Sequence, residues 1–266
     1  HVIVSRLHRC FQCASCRRGL DSNCDNSWSQ RQPGVPMGPG GLAEYVLADG
    51  YQIFTTVGDV PFVESCLSEP PSCVLRSIVK SGVEPGDNVV IIGAGVMGLL
   101  HLIMLQRLGA RVMVSEPNPV RAAKARELGA LETIDPSKES LVERVKALTN
   151  GRGAEVVIVA VGVAAAIQEA IQAVAKGGRL MVYASVYPRG SSITIDPNLF
   201  HSKEIVLTGT VSQGQGEFLQ AVGLITTRAV DMRPLITSVF PFSQLRDGLE
   251  KGEGHRQLQH HPPVCR

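Results

Sequence analysis

With 266 residues, 44% of them apolar and 19% charged, the chain is long enough to bury one substantial core or two smaller ones. Its 26 basic and 24 acidic side chains leave a net charge of +2, which provides no overall field to draw nucleic acid or an anionic membrane surface. The longest apolar run, 89–105, carries Gly93, Gly95 and Gly98 after the turn signal Pro85-Gly86-Asp87, so it reads as strand, turn and helix and not as a membrane span.

The first 60 residues predict short strands and loops: Val2–Val4, a cysteine-rich loop, a Gly/Pro-rich stretch from Pro33 to Gly41, and apolar pieces at Ala43–Leu47 and Tyr51–Phe54. The chain opens at His1 with no initiating methionine or leader, so a missing front segment is expected. Nothing marks secretion, which makes a reducing cytoplasm the expected location. Cys10, Cys13, Cys16 and Cys24 fall in the pattern C-x2-C-x2-C-x7-C. Four thiolates on one loop can close around a tetrahedral ion and leave no open position, the chemistry of structural zinc. Ferredoxin spacing would bring the fourth cysteine after three residues and follow it with proline, whereas Cys24 comes after seven and precedes Asp25. Four unliganded thiols or two disulfides form the plain alternative, which a reducing compartment disfavours. Cys66 and Cys73 stand in apolar surroundings and read as small core residues.

Glu69-Pro70-Pro71 has prolines where a helix begins, and apolar spacing continues to Val79. From Val89 a βαβα rhythm sets in: strand Val89–Ile92, helix Val96–Leu108, strand Arg111–Ser115, helix Pro119–Leu128, a short Glu132–Ile134, helix Glu139–Leu148, strand Val156–Val161, helix Ala164–Val174, strands Leu180–Ala184 and Ile205–Gly209, and a helix over 217–228. The longer strands are almost wholly apolar and rich in β-branched residues, as strands covered on both faces must be, so a doubly wound parallel sheet is expected. Ile236–Phe240 and Gln244–Lys251 suggest a further strand and helix. Apolar periodicity stops after Lys251, and the tail 252–266 is expected to be foreign to the fold, through a frameshift or a chimeric end.

Gly93-Ala94-Gly95-Val96-Met97-Gly98 matches G-x-G-x-x-G directly after a strand and at the opening of a helix, the context a dinucleotide site requires. The first glycine permits the tight turn, the second lets the backbone approach a pyrophosphate, and the third lets helix and strand pack closely. Amides at the helix start then face phosphate oxygens. Glu116 ends the next strand, where a carboxylate accepts hydrogen bonds from ribose hydroxyls and repels a 2′-phosphate, favouring NAD over NADP. Arg121 is placed to pack over an adenine or to lie on a solvated helix face. A methyltransferase using S-adenosylmethionine shares the glycine turn and the acidic strand end, and stands as a rival on these residues alone.

The order of signals is a four-cysteine lobe, then Gly40-Gly41-Leu42-Ala43-Glu44-Tyr45, then Glu69-Pro70, then the glycine turn. Val159-Ala160-Val161-Gly162, Lys176-Gly177-Gly178-Arg179, the segment from Lys203 to Thr210, and Leu235-Ile236-Thr237 follow. Over residues 1–251 this resembles the zinc-containing medium-chain alcohol and polyol dehydrogenases, and Glu69-Pro70 resembles the sorbitol and threonine dehydrogenase branch. The resemblance implies a partial GroES-like β domain at 1–74 carrying the structural zinc lobe, a Rossmann NAD-binding domain at 75–230, and a return to the first domain at 231–266 with an atypical tail. It implies Cys10, Cys13, Cys16 and Cys24 as structural zinc ligands, and Gly93, Gly95, Val96, Met97, Gly98 and Glu116 as the cofactor site. Glu69 is implied as a ligand or near neighbour of a catalytic zinc, with a carboxylate at a helix start as its competing role. The family's remaining catalytic ligands lie upstream of the cysteine lobe, so a catalytic zinc is expected only in a full-length protein. Hydride transfer from a secondary alcohol to NAD, a small alcohol or polyol as substrate, and a homo-oligomer at full length complete the implication; no nucleic acid or membrane partner is expected. A non-catalytic NAD-binding remnant or partner module is the alternative, and a zinc-ribbon nucleic-acid binder would want two separated knuckles and a basic surface.

Overall fold

The computed structural model describes residues 1–27 and 43–260, with 253–260 as backbone only. It divides into two compact units, His1–Val230 and Asp231–Arg266. In the first unit, β1 (Val2–Val4) pairs antiparallel with β2 (Ile53–Thr55), and between them lies the single-turn helix α1 (Ala14–Arg17) of the cysteine loop. The short helix α2 (Phe62–Ser65) leads into α3 (Glu69–Ser81), which has prolines in its first turn and stops at Gly82, whose φ of +56° ends the helix in the left-handed region that glycine enters at little cost.

The rest of the unit alternates strand and helix: β3 (Asn88–Ile92), α4 (Val96–Arg107), β4 (Arg111–Ser115), α5 (Pro119–Glu127), β5 (Glu132–Ile134), α6 (Leu141–Leu148), β6 (Ala154–Val159), α7 (Ala164–Ala173), β7 (Val174–Val182), α8 (Pro197–Lys203), β8 (Val206–Gly209) and α9 (Gln215–Thr226). Local chemistry sets several starts. Asn118 caps α5 by accepting from the Val120 and Arg121 amides ahead of Pro119, and Ser140 caps α6 by accepting from Glu143 N–H. The six strands form one parallel sheet in the order β5-β4-β3-β6-β7-β8. Its centre is fully enclosed: Val89, Val90 and Ile91 of β3 and Val156 to Val159 of β6 expose no surface, which explains their apolar runs.

Three sequence expectations are corrected. Ala43–Leu47 forms no strand, and Tyr45 and Leu47 stand in solvent. Ile236–Phe240 is not extended into a strand either; the second unit holds α10 (Leu245–His260), whose backbone stays helical through the start of the tail. The strand expected at Leu180–Ala184 starts earlier, at Val174, because Gly177 with φ +71° and the register shift opposite Ala154 and Val156 carry the chain through Lys176-Gly177-Gly178 as a bulge. Helix α8 is an addition to the expected elements, although Asp196 before Pro197 is its cap. Pro33 to Gly41 and Cys265 lie outside the described residues. Among the described residues no helix is long and apolar enough to cross a membrane.

Candidate functional site

The sheet order places β3 where the winding reverses: β4 and β5 lie on one side, β6 to β8 on the other. In such sheets a ligand crevice opens beyond the carboxyl ends of the strands at that reversal. The turn Gly93 to Gly98 leaves β3 there and enters α4.

Each glycine of the turn answers a different constraint. Gly93 has φ +102°, and a Cβ on it would lie 2.4 Å from Val161 Cγ1. A Cβ on Gly98 would lie 1.9 Å from the Gly93 carbonyl oxygen, so this position packs the helix against the turn. Gly95 is unlike both. Its φ of −69° and ψ of 178° are open to any residue, and no protein atom lies within 4 Å of where its Cβ would stand. The fold therefore does not require glycine at 95, and the open cradle fits the pyrophosphate of a dinucleotide.

Glu116 is buried at the end of β4 and tied to the turn: its Oε2 accepts from Ala94 N–H at 2.8 Å and its Oε1 from Asn118 N–H at 2.9 Å. Each carboxylate oxygen keeps a further lone pair, so the fixed group can also accept from a ribose hydroxyl. It lines a small cleft of about 170 Å³ with Pro119, Ile134 and Asp135 at the ends of β4 and β5. Arg121 lies half-buried in the first turn of α5. Val96 and Met97 open α4, so their amides belong to its unsatisfied first turn.

The Sγ atoms of Cys10, Cys13, Cys16 and Cys24 all lie within 4.8 Å of one another, the only such group of ligands among the described residues. Backbone amides already point at the sulfurs: Cys13 N–H and Gln12 N–H toward Cys10 at 3.3 and 3.5 Å, Cys16 N–H toward Cys13 at 3.4 Å, and Cys10 N–H toward Cys24 at 3.4 Å. The Gln12 amide and the Asn26 side chain hold the Cys10 thiol down at about 6, while burial and the neighbouring thiols push Cys16 up to about 12. Four converging sulfurs with amide donors around them fit a tetrahedral zinc, whose charge lets all four ionise together.

Arg9 joins this lobe to the sheet. Its guanidinium is buried, with Nε donating to Asp21 Oδ2 at 3.2 Å and Nη2 to the Gln213 carbonyl at 2.8 Å, and Asp21 Oδ2 also accepts from Gln215 N–H at 3.0 Å. The loop after β8 is thereby fixed against the lobe. Nothing in the spacing of Arg9 or Asp21 announces this; the one signal is a charged pair inside a cysteine loop.

Glu69 opens α3 and is exposed, with its carboxylate 3.5 Å from Cys73 Sγ, which lies 3.1 Å from Gln213 Oε1. Burial and the neighbouring Glu69 push the Cys73 thiol upward. Among the described residues no three-ligand group includes Glu69. Cys66, expected in a core, is exposed beside a groove lined by Val2, Val46 and Phe62, because the described residues leave that face of β1 uncovered. Two histidines are adjacent in the sequence, His260-His261; the first is described by its backbone alone and the second lies outside the described residues.

In the sequence His101 is only a break in an apolar run, yet it sits directly behind the turn. It is fully buried in α4, its Nδ1–H donates to the Met97 carbonyl at 2.8 Å, and Nε2 has no partner. Burial lowers its pKa from 6.5 to about 4. Between those values the unfolded chain takes up a proton that the folded chain refuses, so stability falls as pH drops through the window, by about 3 kcal/mol once below it. Denaturant unfolding at stepped pH is expected to show this loss, and His101→Leu is expected to flatten that part of the profile; an unchanged slope would contradict the assignment.

Comparison with known proteins gives consistent findings. Residues 96–227 match the family described as zinc-binding dehydrogenase. The chain is 30% identical to scyllo-inosose 3-dehydrogenase of Thermotoga maritima, over 97% of this chain and 67% of that protein. It is 31% identical to an L-threonine 3-dehydrogenase of Pyrococcus horikoshii, over 89% of this chain and 67% of that one. The fold matches the crystal structure of a protein described as a zinc-binding dehydrogenase from Sinorhizobium meliloti bound to NADP, with a TM-score of 0.80 and 28% identity over 89% of this chain and 68% of the other.

Proposed function

The chain belongs to the zinc-binding dehydrogenase family, and on that premise we propose that it binds NAD in preference to NADP on the Gly93 to Gly98 turn and serves the oxidation of a secondary alcohol of a polyol. The observation that carries this reading is Gly95, a glycine at a position the fold leaves open to any residue, which suits a ligand approaching the backbone closely. Bound NAD supplies the hydride acceptor. The amides of Val96 and Met97 at the start of α4 meet its phosphates. Glu116, fixed by the Ala94 and Asn118 amides, takes the ribose hydroxyls and places negative charge where a 2′-phosphate would have to sit. Arg121 covers the adenosine end. Cys10, Cys13, Cys16 and Cys24 hold a structural zinc.

Glu69 is proposed to face a catalytic metal in the family's full-length proteins. In this chain the described residues give it no companion ligands, so they assemble no catalytic-metal site, and the chain is proposed to bind NAD without oxidising a polyol alone. Purified protein is expected to quench or shift NADH fluorescence on binding and to form no NADH from NAD with sorbitol; steady polyol-dependent NADH formation would overturn this. A reducing cytoplasm suits the four-thiol lobe. Edge strand β8 exposes about half of Val206 and over a third of Leu207, which supports self-association of the family's longer proteins through this edge. The net charge and the single contiguous lobe favour neither nucleic acid nor a membrane as partner.

A further inference from the structure

At the end of the sheet away from the glycine turn, a cavity of about 490 Å³ lies by the amino ends of β6 and β7. Asn150, Gly151 and Arg152 reach it from the turn before β6, Glu155 from the strand itself, and Ala175 and Lys176 from the bulge of β7. β6 runs about 17 Å between this end of the sheet and the end where the crevice opens, so the two places are separate. Two glycine turns face each other here, and packing fixes both. Ala154 pairs with Val174 and Val156 with Arg179, so residues 175 to 178 bulge opposite Glu155 alone. A Cβ on Gly153 would lie 2.7 Å from the Ala173 carbonyl oxygen, and one on Gly178 would lie 2.9 Å from that of Ala175 and 3.0 Å from that of Glu155, so the backbones close up where a side chain would part them. Thr149 ties the first turn: its Oγ1 accepts from Gly153 N–H at 3.0 Å and its carbonyl from Arg152 Nε at 3.4 Å.

The charges set around this space are not used by the fold. Arg152 and Lys176 are exposed, and among the described residues neither has an acid within 4 Å. The Arg152 guanidinium is held at Nε only, which leaves both Nη groups without a partner among the described residues, and Lys176 Nζ has none either. Glu155 lines the same cavity and pairs with neither cation. Its Oε2 accepts from Asn88 N–H at 2.8 Å and from Asn88 Nδ2 at 2.9 Å, which anchors the carboxylate and leaves Oε1 as a free acceptor. Two cations and one acid that stand around a space without pairing suit a ligand that brings both an anion and a hydroxyl donor.

We propose that this cavity binds the phosphomonoester of a hydroxylated compound, a sugar phosphate in the simplest case, with Arg152 and Lys176 holding the phosphate oxygens and Glu155 Oε1 accepting from a hydroxyl. The carboxylate makes the site selective, because it repels bare phosphate and favours an ester that carries a donor. Ligands of the hydride-transfer reaction enter at the carboxyl ends of the strands, so a sugar phosphate held at the amino ends is an additional ligand that leaves the dinucleotide in place.

The test is calorimetric titration of the zinc-loaded 266-residue chain with ribose 5-phosphate, inorganic phosphate and ribose. Ribose 5-phosphate is expected to bind at least about tenfold more tightly than ribose and several-fold more tightly than inorganic phosphate. Arg152→Gln and Lys176→Met are each expected to erase most of the advantage over ribose without lowering the melting temperature, since both side chains are exposed and neither is ion-paired. Glu155→Gln is expected to act differently, strengthening the binding of inorganic phosphate and removing the preference for the ester. Equal binding of ribose 5-phosphate and ribose, or an advantage that survives Arg152→Gln and Lys176→Met, would overturn the proposal. Displacement of ribose 5-phosphate by saturating NAD would overturn it as well, by placing that ligand in the crevice. Binding that depends on Arg152 and Lys176 in a chain that takes up no NAD would support this site and sink the dinucleotide reading, so the two fail separately.

Discussion

Replacing Gly95 by threonine is expected to weaken NAD binding about a hundredfold or more while shifting the melting temperature by no more than about 2 °C. Threonine supplies a side-chain oxygen able to cap α4, where Gly95 offers none, and the backbone at 95 is already extended, so the fold loses nothing. No protein atom lies within 4 Å of the new Cβ, and the only thing displaced is a ligand. Gly98→Ala is expected to behave oppositely. Its Cβ would fall 1.9 Å from the Gly93 carbonyl oxygen, so α4 must move off the turn, and unfolding and loss of binding come together. Calorimetry with NAD and thermal melts of both variants separate the cases. Unimpaired NAD binding by Gly95→Thr would mean that the turn is glycine-rich for the fold alone.

Cys24→Ser is expected to reduce bound zinc from about one equivalent to near zero and to destabilise the lobe, since structural zinc contributes on the order of 10 kcal/mol to the folding of small metal-held segments. Cys24 is buried and its sulfur receives the Cys10 amide, so serine removes a ligand where the loop has no replacement. The damage should travel. Arg9 and Asp21, which hold the Gln213 carbonyl and the Gln215 amide, lie on the same stretch of chain. Metal analysis and limited proteolysis between residues 9 and 24 check both parts. Full zinc content in Cys24→Ser would remove the four-sulfur assignment.

Much of the fold was legible because its signals are local. The enclosed strands β3 and β6 advertise themselves as unbroken apolar runs, and a glycine turn set between a strand and a helix points to a phosphate cradle. The four cysteines are close in sequence, so their meeting in space needed no tertiary knowledge. What escaped depends on contacts between distant segments. Arg9 bonds to a carbonyl 204 residues away, Cys73 to an amide 140 residues away, and Arg76 to an acid 141 residues away, separations that no periodicity reports. The strands expected at Ala43–Leu47 and Ile236–Phe240 failed for a related reason. Apolar residues there satisfy a strand pattern, but a strand also needs a partner, and in the described structure β1 pairs with β2 alone. His101 shows a third kind of miss, a polar group in an apolar helix whose meaning appears only once Met97 and Tyr183 are placed around it.

The most direct test is parallel titration of the zinc-loaded chain with NAD and with NADP. Glu116, held at the crevice by two backbone amides, predicts that NAD binds at least about tenfold more tightly than NADP. Tighter binding of NADP, or no binding of either, would contradict the assignment of this turn and its carboxylate to an NAD site.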